Sequence, residues 1–166
     1  MRLLELPPRL TWPNLTAIDT SWLLFGTSET HGIDLASGWI NLSVPWTAPN
    51  YHLRNLELIV AAGARPQGVV WLMPDPNRVT VFDQDDGIAH WGVPDDTRWS
   101  AQGQTPQWDQ HIRLRHWQQI SDQLCANNHW WTWSRLTHQL MSWPLIGDPD
   151  QPDFADRLRL ELAKLR

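Results

Sequence analysis

Residues 69–93, with the sequence VVWLMPDPNRVTVFDQDDGIAHWGV, carry the clearest secondary-structure signal in the chain. They contain three short runs rich in β-branched and aromatic residues, which are typical of strands. The connectors between the runs are made of the turn formers proline, asparagine, aspartate and glycine. Short strands joined by tight turns pair with their sequence neighbours, so we predict a three-strand antiparallel meander. The predicted strands are 69–73, 78–82 and 88–93, and the predicted turns are 74–77 and 83–87.

The preceding part of the chain predicts a hairpin and a helix. Residues 21–25 form an apolar run, and residues 38–44 alternate between apolar and polar side chains, with the period of two expected of a sheet with one covered face. The polar connector between them, residues 26–37, makes this pair a predicted hairpin. A helix follows, with Asn50 as its predicted N-cap and Gly63 as its left-handed stop.

The C-terminal part of the chain predicts three helices, because apolar residues recur at helical spacing over 108–124, 127–143 and 154–165. Thr105-Pro106 is an N-terminal signal for the first helix, and Pro144 ends the second. The predicted fold is therefore α+β: an antiparallel sheet (hairpin plus three-strand meander), one intervening helix and a Trp-rich three-helix C-terminal part. We expect a single domain over 1–166, mainly β with one helix in 1–104 and helical in 105–166.

The composition is that of a folded globular chain. Of the 166 residues, 42% are hydrophobic and 19% are charged, which excludes a disordered chain. No apolar run approaches the roughly 20 residues that cross a bilayer, and the proline-broken N-terminus lacks the apolar stretch of a signal peptide. The single cysteine, Cys125, excludes an internal disulfide. We therefore expect a cytoplasmic protein with no membrane association and no cofactor.

The charge distribution argues against duplex DNA as a partner. The net charge is −5, and residues 75–96 hold six aspartates and one arginine, which accounts for all of it. Proteins that bind duplex DNA neutralise phosphates with a basic surface. Single-stranded nucleic acid stays open as an alternative, because tryptophans in the C-terminal part accompany Arg113, Arg115 and Arg135, and aromatic rings stack on unpaired bases.

The 13 tryptophans are the most informative residues. A domain of this size can bury only part of them, and Trp46 and Trp99 stand in proline-rich or polar connectors. Trp130, Trp131 and Trp133 cannot all face one way on a helix, because consecutive helical residues are about 100° apart. Exposed tryptophan is enriched at protein interfaces. We therefore predict a non-enzymatic adaptor or accessory subunit that binds a protein partner through a helical surface formed by Trp130, Trp131, Trp133, Arg135, Trp143, Phe154 and Leu158.

The enzymatic alternative, a small hydrolase or a metal-dependent enzyme, rests on one polar connector. There His31 and Asp34, near Glu29, combine an imidazole with carboxylates on a loop, which suits acid–base catalysis. Seven histidines also suggest a metal, but the zinc-binding spacing H-E-x-x-H is absent. The chain lacks the G-x-S-x-G, P-loop and G-x-G-x-x-G motifs as well. No predicted site is therefore catalytic or metal-binding.

One stretch resembles a known family. Residues 58–120 contain the strings AAGA (61–64), VWLMP (70–74), HWG (90–92) and WQQI (117–120). In this order they resemble the small psi subunit of bacterial DNA polymerase III clamp-loader assemblies, over less than half of the chain. The resemblance implies a non-catalytic replication adaptor with a parallel α/β core, which differs from the meander predicted above. The helical tail that follows residue 120 has no counterpart in that family.

Overall fold

The computed structural model describes residues 4–6, 11–73, 79–82, 89–92 and 107–166. In chain order the elements are β1 Leu4–Leu6, α1 Leu15–Asp19, β2 Trp22–Phe25, β3 Trp39–Asn41, α2 Pro49–Ala61, β4 Gly68–Met73, β5 Val79–Phe82, β6 Ala89–Gly92, α3 Gln107–Leu124, β7 Asn128–Thr132, α4 Arg135–Met141 and α5 Phe154–Ala163. The strands form a four-stranded sheet in the order β3-β2-β4-β7 and a three-stranded sheet in the order β1-β6-β5.

The predicted antiparallel α+β fold is wrong, because the four-stranded sheet is parallel throughout and gives the molecule an α/β core. Strands β2 and β4 are buried at every residue. Strands that are covered on both faces read as continuous apolar runs, and such runs are typical of parallel sheets. The parallel core agrees with the fold that the psi resemblance implies.

The predicted meander breaks between its first and second strands. Strands β5 and β6 pair antiparallel, as predicted, with Val81 opposite His90. Their sheet is completed by β1, which pairs with β6. Strand β4 instead lies between β2 and β7 in the parallel sheet. The predicted turns at 74–77 and 83–87 lie outside the described residues.

The predicted hairpin is a parallel pair. Strands β2 and β3 run in the same direction, with Trp22 opposite Trp39 and Leu24 opposite Asn41. Antiparallel neighbours can be joined by a tight turn, whereas a parallel pair needs a connection that returns to the starting end of the sheet. Residues 26–38 make this return without a helix. The prediction failed because a polar connector looks alike in both arrangements.

Three predicted helices are confirmed as α2, α3 and α5. Helix α2 has Ala48 rather than Asn50 at its N-cap, and Gly63 follows it at φ 102°. The predicted Thr105-Pro106 start of α3 lies outside the described residues. The helix predicted over 127–143 is wrong: strand β7 occupies its first part, and only α4 is helical. Pairing with β4 overrides helical spacing there, since aromatic residues also suit strands.

The parallel sheet is covered on both faces. Alternate strand residues point to opposite faces, and Trp71 and Trp130 stack on the first with 4.7 Å between ring centroids. Helices α2, α3 and α4 complete the cluster on that face, and α5 completes the cluster on the other. Gly68 makes room on the second face, because a Cβ there would lie 2.3 Å from the Trp22 ring.

Candidate functional site

A cavity of about 770 Å³ opens at the carboxyl ends of β2 and β7. In chain order β2 is the first strand of the parallel sheet; β3 is added on one side of it, and β4 and β7 on the other. In sheets wound in two directions, ligands bind outside the carboxyl ends of the strands near the reversal. The cavity is lined by Glu29 after β2, by residues 133–135 after β7, by residues 145–150 and by Arg157 of α5.

Carboxylates form the acidic part of the cavity wall. Glu29 accepts a hydrogen bond from the Thr27 hydroxyl. Asp148 accepts one from the main-chain N–H of Asp150, at 3.0 Å. The third carboxylate of the wall belongs to Asp150. Among the described residues, the carboxylates of Glu29, Asp148 and Asp150 form no ion pair. Their charges are therefore available to a ligand or a partner.

Two guanidinium groups and one indole form the rest of the polar wall. Arg157 lies 3.7 Å from Asp153, one turn earlier on α5. Arg135 is exposed and has no ion pair within the described part of the chain. The buried indole N–H of Trp133 has no hydrogen-bond partner there either. With three carboxylates against two guanidinium groups, of which one is already paired, the cavity is net acidic.

Leu145 lies on a bridge that extends the parallel sheet beyond β7. The Thr132 N–H donates to Pro144 O at 3.0 Å, and the Ile146 N–H donates to Thr132 O at 2.8 Å. Because hydrogen-bonding direction alternates along an extended chain, the main chain of Leu145 points away from β7. Neither its N–H nor its C=O has a partner among the described residues. The sheet therefore ends in an open hydrogen-bonding edge.

Two exposed leucines lie at this open main chain. Leu145 itself is 39% exposed. A second groove, of about 430 Å³, runs between residues 144–147 and α5, where Leu160 is 66% exposed. Leu145 lines both the groove and the cavity. We call this surface the Leu145 edge; it comprises Trp133, Arg135, Leu145 and Leu160. Leu136, at the start of α4, is also exposed but lines a separate groove with Gln110.

The opposite edge of the sheet, at β3, is largely closed. Main-chain groups of residues 38, 42 and 44 bond to β2 and its extension, so those of 39, 41 and 43 face outward. The Ser43 N–H donates to Asn41 Oδ1 at 3.0 Å, and Ser43 O accepts from His31 Nδ1 at 2.9 Å. The Trp39 N–H donates to Ala36 O. Side chains and the preceding loop thus occupy this edge on both sides of Asn41, whose own main-chain N–H and C=O have no partner among the described residues.

A buried histidine holds the carboxyl ends of β2 and β3 together. The Nε2 atom of His52, on α2, lies 2.9 Å from Gly26 O and 2.8 Å from Thr47 Oγ1. Since a carbonyl only accepts, Nε2 carries the proton, and Nδ1 is a buried acceptor without a partner in the described structure. Burial lowers the pKa of His52 to about 3, against the opposing effect of the Gly26 bond. The imidazole is therefore neutral at neutral pH.

Most of the predicted partner surface lies inside the domain. Five of its seven residues are buried: Trp130, Trp131, Trp143, Phe154 and Leu158. Strand β7 turns successive tryptophans to opposite faces of a sheet that is covered on both faces, and α5 packs its apolar stripe inward. A partner cannot reach these five side chains on the folded domain. The other two, Trp133 (half-buried) and Arg135 (exposed), line the cavity and stay accessible.

Trp46 and Trp99 were the tryptophans expected to be poorly placed for burial. Trp46 is 47% exposed and has φ 64°, a left-handed conformation that is rare for a bulky residue. Trp99 lies outside the described residues. An exposed indole therefore stands beyond β3, on the closed side of the sheet.

The residues of the enzymatic alternative do not bond to one another. Glu29 is held by Thr27, His31 by Ser43 O, and the main-chain carbonyl of Asp34 by Arg159 Nε at 2.8 Å. Across the described ranges, no three His, Cys, Asp or Glu side chains form a group that could hold a metal ion.

The arginines that suggested a single-stranded nucleic acid are largely engaged elsewhere. The Arg113 guanidinium lies 5.5 Å above the Trp117 ring, and burial lowers its pKa against the opposing charge of Asp109. Arg115 donates to Gln118 on the same helix.

Within the described part of the chain, each helix is too short or too polar to cross a lipid bilayer.

Sequence reasoning missed the residues that form the open edge. Leu145 and Leu160 appear in the sequence as ordinary members of a loop and an amphipathic helix. One signal was present: Pro144 keeps Trp143, the residue before it, out of the helical conformation, which allows a strand-like bridge to follow. The pairing of Thr132 with this segment depends on the tertiary structure and has no local signature.

The fold and the site define a doubly wound parallel α/β domain with one open sheet edge beside an acidic cavity. Comparison with known protein families, with curated proteins and with solved structures finds no match to this chain. The argument for function therefore rests on the geometry of the domain.

Proposed function

We propose that this chain is a non-enzymatic adaptor or accessory subunit whose protein partner docks on the Leu145 edge. The observation that carries the proposal is the unpaired main chain of Leu145 among exposed leucines. Proteins normally blunt or cover unpaired sheet edges, because such edges pair with other chains. In this domain the β3 edge is covered in that way except at the main chain of Asn41, whereas the open main chain of Leu145 adjoins a cavity and the exposed side chain of Leu160, which favours the Leu145 edge as the binding surface.

The side chains of this surface suit a protein interface. Trp133 and Arg135 belong to residue types enriched among the side chains that dominate binding energy, and exposed leucines supply apolar area around them. Both residues were in the surface predicted from the sequence. The psi resemblance implies the same class of role, and the parallel core removes the main difference between this chain and that family's fold.

The proposal is tested by placing a charge on the Leu145 edge. We expect tagged wild-type protein to retain a stoichiometric second protein from cells of the source organism, and Leu160→Glu to retain at least about tenfold less, because a buried unpaired carboxylate costs at least that factor in affinity. Thermal unfolding of both proteins checks that the variant stays folded.

Ile112→Glu is the matched control. Ile112 is 58% exposed on α3, and it lines neither the cavity nor the groove of the Leu145 edge. Helix α3 packs on the first face of the sheet, whereas α5, which carries Leu160, packs on the other. The partner should be retained by Ile112→Glu. Equal retention by both variants, or equal loss from both, contradicts docking at the Leu145 edge.

A further inference from the structure

We infer that the partner contributes an extended segment, which pairs with the main chain of Leu145 as an added strand and places a basic side chain in the neighbouring acidic cavity. The inference rests on the proposed function and names the chemistry of the partner. It combines two observations, the open main chain of Leu145 and the unpaired carboxylates that begin three residues later.

The main chain of Leu145 offers one donor and one acceptor on the same side. In an antiparallel pair, a residue directly opposite exchanges both N–H···O bonds with its partner, so a single residue of an added strand satisfies both groups. Strands lie about 4.8 Å apart, and the groove between residues 144–147 and α5 lies along this outer side. Peptides recognised by strand addition gain affinity from main-chain bonds and specificity from side-chain pockets.

The charge of the cavity selects the side chain that enters it. Glu29, Asp148 and Asp150 have no ion pair within the described structure, whereas Arg157 is already paired with Asp153. A lysine or arginine of the partner would meet these carboxylates, while an acidic side chain would be repelled by them.

The positions along the chain set the spacing of the motif. Asp148 lies three residues after Leu145, so their Cα atoms are at most about 10 Å apart, and the chain turns between them at Gly147 (φ 56°). The basic residue of the partner should therefore stand within about three residues of the one opposite Leu145. Side chains at alternate positions of the added strand face α5, where Leu160 is exposed, so apolar residues are expected there.

The probe is a peptide selected from a phage-displayed library of random dodecapeptides, panned on the full chain and labelled for fluorescence polarisation. We expect the selected sequences to share alternating apolar residues and one basic residue at the stated spacing. Each main-chain N–H of the peptide is then methylated in turn. Strand addition predicts that methylation weakens binding at least about tenfold at the one position opposite Leu145 and has little effect at the positions next to it.

Variants of the protein test the two halves of the motif. Leu145→Pro removes the open N–H without touching the bonds of Pro144 and Ile146, and Leu145→Ala keeps it. We expect at least about tenfold weaker binding for Leu145→Pro and at most about threefold for Leu145→Ala. The double variant Asp148→Asn/Asp150→Asn should weaken binding of the basic peptide at low salt, with a smaller effect at high salt.

Each outcome separates this inference from the proposed function. Peptides that tolerate methylation everywhere but lose affinity for Leu160→Glu would show docking through side chains, so the proposed function would stand and strand addition would be wrong. Peptides insensitive to every substitution on the Leu145 edge would contradict both. Strand addition is also wrong if the library yields no peptide that binds the wild-type protein more tightly than it binds Leu145→Pro.

Discussion

The two edges of the parallel sheet are built in opposite ways. At β3, the amide of Asn41 donates to Thr30 O and Ile33 O while its oxygen accepts the Ser43 N–H. Beyond β7, the bridge at Leu145 presents a free donor and acceptor to its surroundings. The same sheet thus ends once in a network of side-chain hydrogen bonds and once in an open main chain.

This difference separates the part of the molecule that protects the fold from the part that is available for binding. Closing an edge prevents uncontrolled pairing with other chains, and the β3 edge does so with polar groups that are themselves hydrogen-bonded. Disturbing the closed edge should therefore change stability, whereas disturbing the open edge should change binding. The following predictions test that division, beginning with the largest expected effect.

The closed side should weaken at acid pH through His52. The pKa of His52 is about 3 in the folded chain, against an ordinary value of 6.5. Between pH 3 and pH 6.5, the unfolded chain therefore binds a proton at this residue and the folded chain does not. The contribution of His52 to the free energy of unfolding is therefore complete above pH 6.5. It falls by about 1.4 kcal/mol per pH unit as the pH drops toward 3, which is about 5 kcal/mol in all. Urea unfolding between pH 7 and pH 4.5 measures the slope.

His52→Gln is the control for this slope, because glutamine keeps a donor for Gly26 O but does not titrate. Other titrating groups contribute equally to both proteins, so the difference in slope belongs to His52. A wild-type protein whose stability changes with pH in the same way as that of His52→Gln would contradict a neutral buried imidazole at this position.

Removing the side-chain hydrogen bonds of the β3 edge should lower the free energy of unfolding by less than the protonation of His52 does. Asn41→Ala removes three hydrogen bonds at a half-buried position, and we expect the free energy of unfolding to fall by about 2 kcal/mol. Asn127→Ala is the matched control, since this exposed asparagine makes one side-chain bond, to Gln67 O, and should cost less than about 1 kcal/mol. Equal effects of the two substitutions would show that Asn41 does not close the edge.

The sequence predicts the elements of this fold better than their arrangement. The strands β4, β5 and β6 and the helices α2, α3 and α5 follow from local patterns, and their predictions are confirmed over the described residues. The direction of the sheet was missed, although the uninterrupted apolar runs of β2 and β4 indicated strands covered on both faces. Which strands pair depends on contacts between distant residues, and β4 pairs with β7 across more than fifty residues.

The candidate site was less predictable because it is defined by what remains unpaired. Trp130 and Trp131 look like interface residues in a helical projection, but strand pairing buries both. Trp133 and Arg135 were predicted as partner-binding residues because they lie in a tryptophan-rich part of the sequence. They are accessible in the structure because they follow the carboxyl end of β7, where they line the cavity. Leu145 has no distinguishing chemistry, and only the bonds of its neighbours to Thr132 reveal its free main chain.

Amide hydrogen exchange, followed residue by residue by NMR, tests the division between the two edges most directly. In the free protein the Leu145 amide should exchange at nearly the rate of an unstructured chain, while the Ser43 amide should be protected by about 100-fold or more. Addition of the selected peptide should protect Leu145 and leave Ser43 unchanged. A Leu145 amide as slow as that of Ser43 in the free protein, or one that peptide binding does not slow, would contradict an open edge that receives an added strand.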